Sequence, residues 1–517
     1  MIDNRKCIGC HACTVACKSE HDVPIGVNRT WVKQVETGAF PDVRRSFHVM
    51  RCNHCADAPC TEICPTSALY TRDDGIVDFD NRRCIGCKGC MQACPYDALY
   101  IDPDNHTAAK CNFCSHRVDR GLQPACVVAC PEQAIVAGDV MDPGSFISQL
   151  LATQPVQVRR PEKGTAPSLY YIDGDRAALE PLATDNQPRS VAVESKPDRH
   201  GCATSTADVR PLAGLGVAGF LGPEGAGAGK GIPRKVYDAP KNGTLWGWEV
   251  SAYLSTKAVA AGALLVPLLA LLVGGVAVSR HALMLAGFAS LLMQGATGAL
   301  LVADLDRPDR FLYVLLRGNP RSWLVRGAWI LSALGAVSSA WLASVCLEWG
   351  RAQTVLAWAT LALCIPTAIY TAFLFAQAKG RDLWQSPLAP LHMLVHAAVA
   401  GGAISVLLEA ARGIAGAEGH LPLARGLLLS GLLADLALAW AEVALPHSTA
   451  AASRAAELMH TGLLAKRFWV LFVAAAAIAC ACVGPLGLPV IAALLALLSL
   501  VARNDVWVRA PQMVPMS

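Results

Sequence analysis

Between residues 84 and 95 the chain reads Cys84-Ile85-Gly86-Cys87-Lys88-Gly89-Cys90-Met91-Gln92-Ala93-Cys94-Pro95, a C-x2-C-x2-C-x3-C-P run. No other stretch restricts the possible folds as tightly. With this spacing three thiolates close on one iron–sulfur cubane from a tight loop, and the fourth points away to serve another. The run cannot be satisfied alone, so it predicts a partner run and a second cluster.

Three further runs answer it: Cys7, Cys10, Cys13 and Cys17; Cys52, Cys55, Cys60 and Cys64; Cys111, Cys114, Cys126 and Cys130. The first and third runs are near copies, Cys-Ile-Gly-Cys-x-x-Cys, each preceded by two basic residues, Arg5-Lys6 and Arg82-Arg83. That repeat predicts two similar halves. Sixteen of the 21 cysteines lie in the four runs, enough for four [4Fe–4S] clusters with none left over. Zinc and disulfides are the competing uses of such cysteines. Four quartets, three of them ending in Cys-Pro, argue against zinc, and C-x2-C is tighter than disulfide frameworks adopt. His11 and Lys88 sit inside ligand loops, placed either to tune a cluster or to stand exposed on a loop. Gly75-Ile76-Val77-Asp78-Phe79-Asp80 alternates as a short strand does, and Leu169-Tyr170-Tyr171-Ile172 reads as a closing strand.

Polarity then divides the chain. A hydrophobic content of 53% with 16% charge is high for a soluble protein, and the excess is concentrated between residues 250 and 503. Eight apolar segments are expected there, near 250–278, 281–303, 325–348, 353–376, 388–410, 421–445, 467–484 and 487–503. Residues 1–180 form the cysteine-bearing domain, 181–243 a linker rich in Pro, Gly, Ala and Ser, and 244–517 the membrane domain. The linker composition predicts a tether without a core, and Cys202 within it reads as a free thiol. Gly225-Ala226-Gly227-Ala228-Gly229-Lys230 is no phosphate loop, lacking a strand before it and a helix after it. A net charge of +4 gives no support to a nucleic-acid partner.

Residues 1 to about 175 resemble the four-cluster electron-transfer subunits of molybdopterin oxidoreductases, such as those of dimethylsulfoxide reductase, polysulfide reductase and membrane formate dehydrogenases. The resemblance implies how the runs pair. One cube takes Cys7, Cys10, Cys13 and Cys130, the next Cys17, Cys111, Cys114 and Cys126. A third takes Cys52, Cys55, Cys60 and Cys94, the last Cys64, Cys84, Cys87 and Cys90. It also implies that the first cube faces a molybdenum or tungsten catalytic subunit and the last faces the membrane.

Residues 244–517 resemble the NrfD-like membrane subunits of polysulfide reductase type. The likeness is carried by Leu245-Trp246-Gly247-Trp248 leading to Tyr253 and Ala260-Ala261-Gly262, by Asp304-Leu305-Asp306-Arg307-Pro308-Asp309-Arg310-Phe311 with Ser322 and Gly327-Ala328-Trp329, and by Val506-Trp507-Val508-Arg509-Ala510. It departs from that pattern at Asp306, where the family usually has Gly, and at Lys257, an unusual charge for its place. The implied fold is an α+β double-ferredoxin-like [4Fe–4S] domain fused to an all-α membrane domain of eight transmembrane helices. The implied ligands are a quinone, menaquinone or ubiquinone, and no haem.

Ionisable residues inside spans are costly and point to function. Lys257, Asp304, His392, His396, Asp435 and Glu442 are such residues, and with Trp248, Asp306 and Arg307 they are the candidate quinone-site set. Structural ion pairing, for example of Lys257 with Asp304 or Glu442, is the plainer use, and a capped loop is the plainer use of Asp304, Asp306 and Arg307. Haem ligation by His392 and His396 is disfavoured because residues four apart on one helix cannot clamp opposite faces of one ring.

Lys and Arg in the connections set the orientation. Arg307, Arg310, Arg317, Arg321, Arg326, Lys379, Arg381, Arg454, Lys466, Arg467, Arg503 and Arg509 fall on the side of the cysteine domain; only Arg280, Arg351, Arg412 and Arg425 fall opposite. The excess places that domain in the cytoplasm of a bacterium, against the inner membrane. Met1–Lys6 shows neither an export signal nor a twin-arginine pattern, which agrees. The expected function is electron transfer between a separate molybdopterin subunit and the quinone pool. An electron-driven proton pump using Asp435 and Glu409, and a passive anchor without a quinone site, are the alternatives.

Overall fold

The computed structural model describes residues 1–184, 233–238, 243–411, 419–484 and 486–517. Most of the expected linker, including Cys202 and Gly225–Lys230, and the loop residue Arg412 lie outside the described residues. The chain divides into two compact units, Met1–Gly243 with Pro515–Ser517, and Thr244–Val514.

In the first unit short strands and single helical turns alternate: β1 (Ile2–Asp3), α1 (Ala12–His21), β2 (Thr30–Ala39), β3 (Asp42–Arg51), α2 (Pro59–Ile63), β4 (Leu69–Thr71), β5 (Val77–Phe79), α3 (Gly89–Ala93), β6 (Leu99–Ile101), β7 (Ala108–Lys110), α4 (Ser115–Val118), α5 (Ala125–Val128), α6 (Phe146–Thr153), β8 (Val156–Gln157), β9 (Tyr171–Ile172) and α7 (Arg176–Leu179). The alternating segment forms β5 and pairs with β4, while the closing segment supplies β9, parallel to β1. The longest feature is a hairpin of two ten-residue strands, β2 and β3. Within the expected linker, β10 (Arg234–Tyr237) adds to β2 as an antiparallel edge strand. The largely buried carboxylate of Asp238 accepts from Trp31 Nε1 at 2.8 Å and Lys235 Nζ at 2.8 Å, tying that strand down. Ile2, Val32, Val49, Ile135, Leu169 and Tyr171 make the main apolar core, and Cys13 and Cys126 belong to it.

The second unit is helical: α8 (Trp248–Leu272), α9 (Arg280–Ala303), α10 (Leu312–Leu316), α11 (Trp323–Leu347), α12 (Arg351–Gln377), α13 (Ala389–Ala411), α14 (Leu421–Ala444), α15 (Ala450–His460), then Arg467–Ala474 in π-helical form continuing as α16 (Ala475–Val483), and α17 (Pro489–Met513). Among the described residues seven of these, α8, α9, α11, α12, α13, α14 and α17, are long and apolar enough to cross a membrane. The eighth expected segment, 467–484, is the shorter apolar helix Arg467–Val483.

The helices repeat. α8 packs on α9 and α12, and α13 packs likewise on α14 and α17. The two lead helices cross at Gly262 and Gly401. A Cβ on Gly262 would come within 2.2 Å of Ala397 O, and one on Gly401 within 2.3 Å of Gly262 O, so the crossing admits no side chain.

Candidate metal centres and buried polar clusters

Each cysteine run is a loop that carries the first pair of thiols and a helical turn that carries a later one. Cys13 and Cys17 lie on α1, Cys60 on α2, Cys90 on α3 and Cys126 on α5. The loops share one backbone device. The residue before the second cysteine is left-handed in all four: Gly9 (φ 71°), His54 (φ 42°), Gly86 (φ 69°) and Phe113 (φ 59°). This turns its N–H toward the first sulfur. His54 N donates to Cys52 Sγ at 3.5 Å, Gly86 N to Cys84 Sγ at 3.4 Å and Phe113 N to Cys111 Sγ at 3.4 Å. Gly9 does the same for Cys7, and its missing side chain also matters, because a Cβ there would lie 2.2 Å from the Phe47 ring.

The runs interleave. Cys7, Cys10, Cys13 and Cys130 line one cavity, and Cys64, Cys84, Cys87 and Cys90 another. Cys17 faces Cys111, Cys114 and Cys126; Cys60 faces Cys52, Cys55 and Cys94. These are the groupings the resemblance implies. Neighbouring quartets also meet in a fixed order. Cys13 faces Cys126 between the first and second, Cys111 faces Cys52 between the second and third, and Cys90 faces Cys60 between the third and fourth.

Burial pushes the Cys13, Cys55 and Cys111 thiols up to about 11 and Cys94 to about 12. Left bare they stay protonated at neutral pH, so metal loading displaces protons. Quartets of convergent sulfurs receiving backbone N–H groups fit a cubane, which supplies one-electron chemistry when bound. His11 is half-buried, its Nε2 accepting from Gln34 Nε2 at 3.1 Å and its ring edge-on to Tyr237 at 4.9 Å. Lys88 is buried rather than exposed on its loop.

In the helical unit the expected site residues separate into two clusters. The first surrounds Lys257 on α8, which is 1% exposed. Its Nζ donates to Ala368 O at 2.8 Å and to Thr371 Oγ1 on α12, and it lies 4.8 Å from the centre of the Tyr370 ring. Tyr253 faces both Tyr370 and Asp304. The alternative use of Lys257, an ion pair with Asp304 or Glu442, is not what forms; its partners are a carbonyl, a hydroxyl and a ring. Asp304 is buried at the C-cap of α9.

The second cluster joins α13, α14 and α17. His396 Nε2 donates to Asp435 Oδ1 at 3.2 Å. His392 lies one turn away, and one ring nitrogen each from His392 and His396 and an Asp435 oxygen lie within 4.8 Å of one another. Glu442 accepts from Arg503 Nη2 and from Trp507 Nε1, the latter at 3.0 Å. Arg503 Nε stands 4.0 Å from Asp435 Oδ1, its guanidinium 5.5 Å from the Phe472 ring, and its Nε and Nη1 have no hydrogen-bond partner among the described residues.

Arg503 and Trp507 were not expected in the site. The signal that finds them is the helical repeat. Lys257 and His396 each stand five positions before the crossing glycines Gly262 and Gly401, so each half buries a polar cluster at the matching place. Trp248, by contrast, is 56% exposed. Its neighbour Trp246 is the buried one, stacked on Trp384 at 5.5 Å with Phe375 and Trp507 alongside. Asp306 and Arg307 lie in the loop after α9, where Arg307 pairs with Asp309 at 3.0 Å.

Comparison with known proteins agrees with both units. Residues 6–69 and 43–140 match 4Fe-4S dicluster domains, and residues 238–503 match the family described as polysulphide reductase, NrfD. Among similar proteins, one of the subunits of the tetrathionate reductase of Salmonella typhimurium is 44% identical over 192 residues, covering 36% of this chain and 77% of that protein. One of the chains of the polysulfide reductase of Wolinella succinogenes is 41% identical over 181 residues, covering 34% and 95%. Protein NrfC of Escherichia coli is 44% identical over 174 residues, covering 33% and 78%. The chain is therefore a multi-pass membrane member of the polysulphide reductase, NrfD family, fused on one polypeptide to an iron–sulfur electron-transfer subunit.

Proposed function

We propose that this chain carries electrons through four [4Fe–4S] clusters between a molybdopterin-containing catalytic subunit, with molybdenum or tungsten, and the membrane quinone pool. The four thiol quartets and their end-to-end meeting support a single conduction path. The related subunits of tetrathionate and polysulfide reductases support a catalytic partner. The distribution of Lys and Arg supports a cytoplasmic iron–sulfur unit at the inner membrane of a bacterium.

The observation that carries the quinone reaction is the pair of buried polar clusters. A passive anchor has no need of an amine, two imidazoles, a guanidinium and three carboxylates inside an apolar bundle, where each is costly. Quinone conversion needs two protons beside two electrons, and needs donors for the ring oxygens. In this reading Lys257, with Tyr253, Tyr370 and Asp304, receives the ring. Its amine has only neutral partners, so it can turn toward a substrate oxygen without breaking an ion pair. His392, His396, Asp435, Glu442 and Arg503 hold and pass protons.

The test is to reduce the purified chain with dithionite and add a menaquinone analogue. Quinol is expected to form as the clusters reoxidise, with Lys257→Met slowing it by about 100-fold, within the range for loss of a positioned proton donor. Clusters that stay reduced in the presence of the quinone would sink the proposal.

A further inference from the structure

We propose that Arg51 sets the reduction potentials of the first two clusters, acting as a counter-cation shared between the Cys13 and Cys126 quartets. This rests on the four-cluster reading above.

Arg51 is the last residue of β3 and immediately precedes Cys52; it is buried. Its Nη1 donates to Cys126 Sγ at 3.1 Å, and the guanidinium also faces Cys111 and Cys13. Among the described residues no carboxylate pairs with it, and its Nε has no hydrogen-bond partner. Lys110 is the last residue of β7, immediately precedes Cys111, and is also buried. Its Nζ donates to Cys111 O at 2.9 Å and to Val77 O, and it faces Cys60 of the third quartet. The two cations occupy one position of a second repeat, Arg51-Cys52-Asn53-His54-Cys55 and Lys110-Cys111-Asn112-Phe113-Cys114.

A buried cation without a counter-ion is costly. Here the compensating charge is the cluster. Four thiolates leave a cubane net negative, and reduction adds one more negative charge, so a nearby cation stabilises the reduced form more than the oxidised one. Charge and hydrogen bonds at the sulfurs are the levers that move cluster potentials. Most other groups on these sulfurs are backbone N–H dipoles, such as Ala108 N on Cys84 and Ala134 N on Cys130, both at 3.3 Å. His21 Nε2 lies 3.2 Å from Cys114 Sγ, another ligand of the second quartet. Because Arg51 stands where two quartets meet, its pull falls on both, and it offsets their mutual repulsion when both are reduced.

The experiment is an anaerobic redox titration of the full chain followed by electron paramagnetic resonance, with iron counted on the same samples. In Arg51→Gln, two of the four midpoint potentials are expected to fall. The expected size is about tenfold in the oxidised-to-reduced ratio at fixed potential, or about 59 mV for one electron. The other two stay in place. Arg51→Lys, which keeps the charge but not the fork, is expected between wild type and Arg51→Gln. Four unchanged potentials, or one common shift of all four, overturn the proposal. If Arg51→Gln fails to hold its iron, Arg51→Lys alone decides: a smaller fall confined to two clusters supports it, and wild-type potentials overturn it. A wild-type chain with fewer than four clusters would refute the four-cluster reading instead, and iron content reports that separately.

Discussion

Each unit buries an arginine, and the two are neutralised in different ways. Arg503, 1% exposed, is answered by a carboxylate of the protein itself, Glu442 from a neighbouring helix, with Asp435 close by. Arg51, 4% exposed, is answered by sulfurs that belong to a metal site. Arg503 is therefore balanced within the polypeptide. Arg51 is balanced only when clusters are present. This difference predicts that the first unit depends on its ligand for folding while the second does not.

The largest effect expected from that contrast is on iron removal. Chelation under reducing conditions should unfold the first unit outright, since its core contains the ligands Cys13 and Cys126 themselves. Helical circular dichroism from the membrane unit should persist. Loss of both together would erase the distinction. Next in size is Glu442→Ala, which leaves Arg503 without its main partner and should destabilise the helical unit by about 3–5 kcal/mol. Arg503→Leu combined with it should recover part of that loss, because the uncompensated charge is then gone. Equal destabilisation by the single and double variants would contradict an ion-pair role.

The smallest effect sharpens the comparison on the soluble side, where one charge is avoided rather than balanced. Burial lowers His48 to about 4, and its Nε2 accepts from Asp175 N at 2.9 Å, so it is neutral in the fold. Unfolded, it takes a proton below about 6.5. The unfolded state thus binds more protons between those values, and stability is full above about 6.5 and falls as pH drops toward 4. The slope should be about 1 kcal/mol per pH unit in that window. His48→Gln should flatten the dependence when thermal midpoints are compared at pH 7 and pH 5; an unchanged slope would show that other groups carry it.

The two units also differ in how much of them could be read in advance. The cysteine quartets were legible because ligand spacing within a loop and one helical turn is a local property. The Cys-Asn-x-Cys repeat, with Arg51 and Lys110 before it, was missed because His54 and Phe113 stand where a glycine would have announced the left-handed turn. In the helical unit the buried ions Lys257, His392, His396, Asp435 and Glu442 were visible as charges in apolar sequence, but their grouping was not, since partners come from helices far apart in the chain. Arg503 reads as a residue beyond the last span because Arg503-Asn504-Asp505 ends the apolar run, whereas α17 continues to Met513 with Arg503 and Asn504 buried. Trp248 was chosen over Trp246 because a motif does not say which of two tryptophans faces inward.

Iron and acid-labile sulfide analysis of the purified full chain tests the central claim most directly. Four cubanes held by the four quartets predict about sixteen irons and about sixteen sulfides per polypeptide. Zinc in their place, or markedly fewer irons in a folded and fully loaded chain, would contradict it.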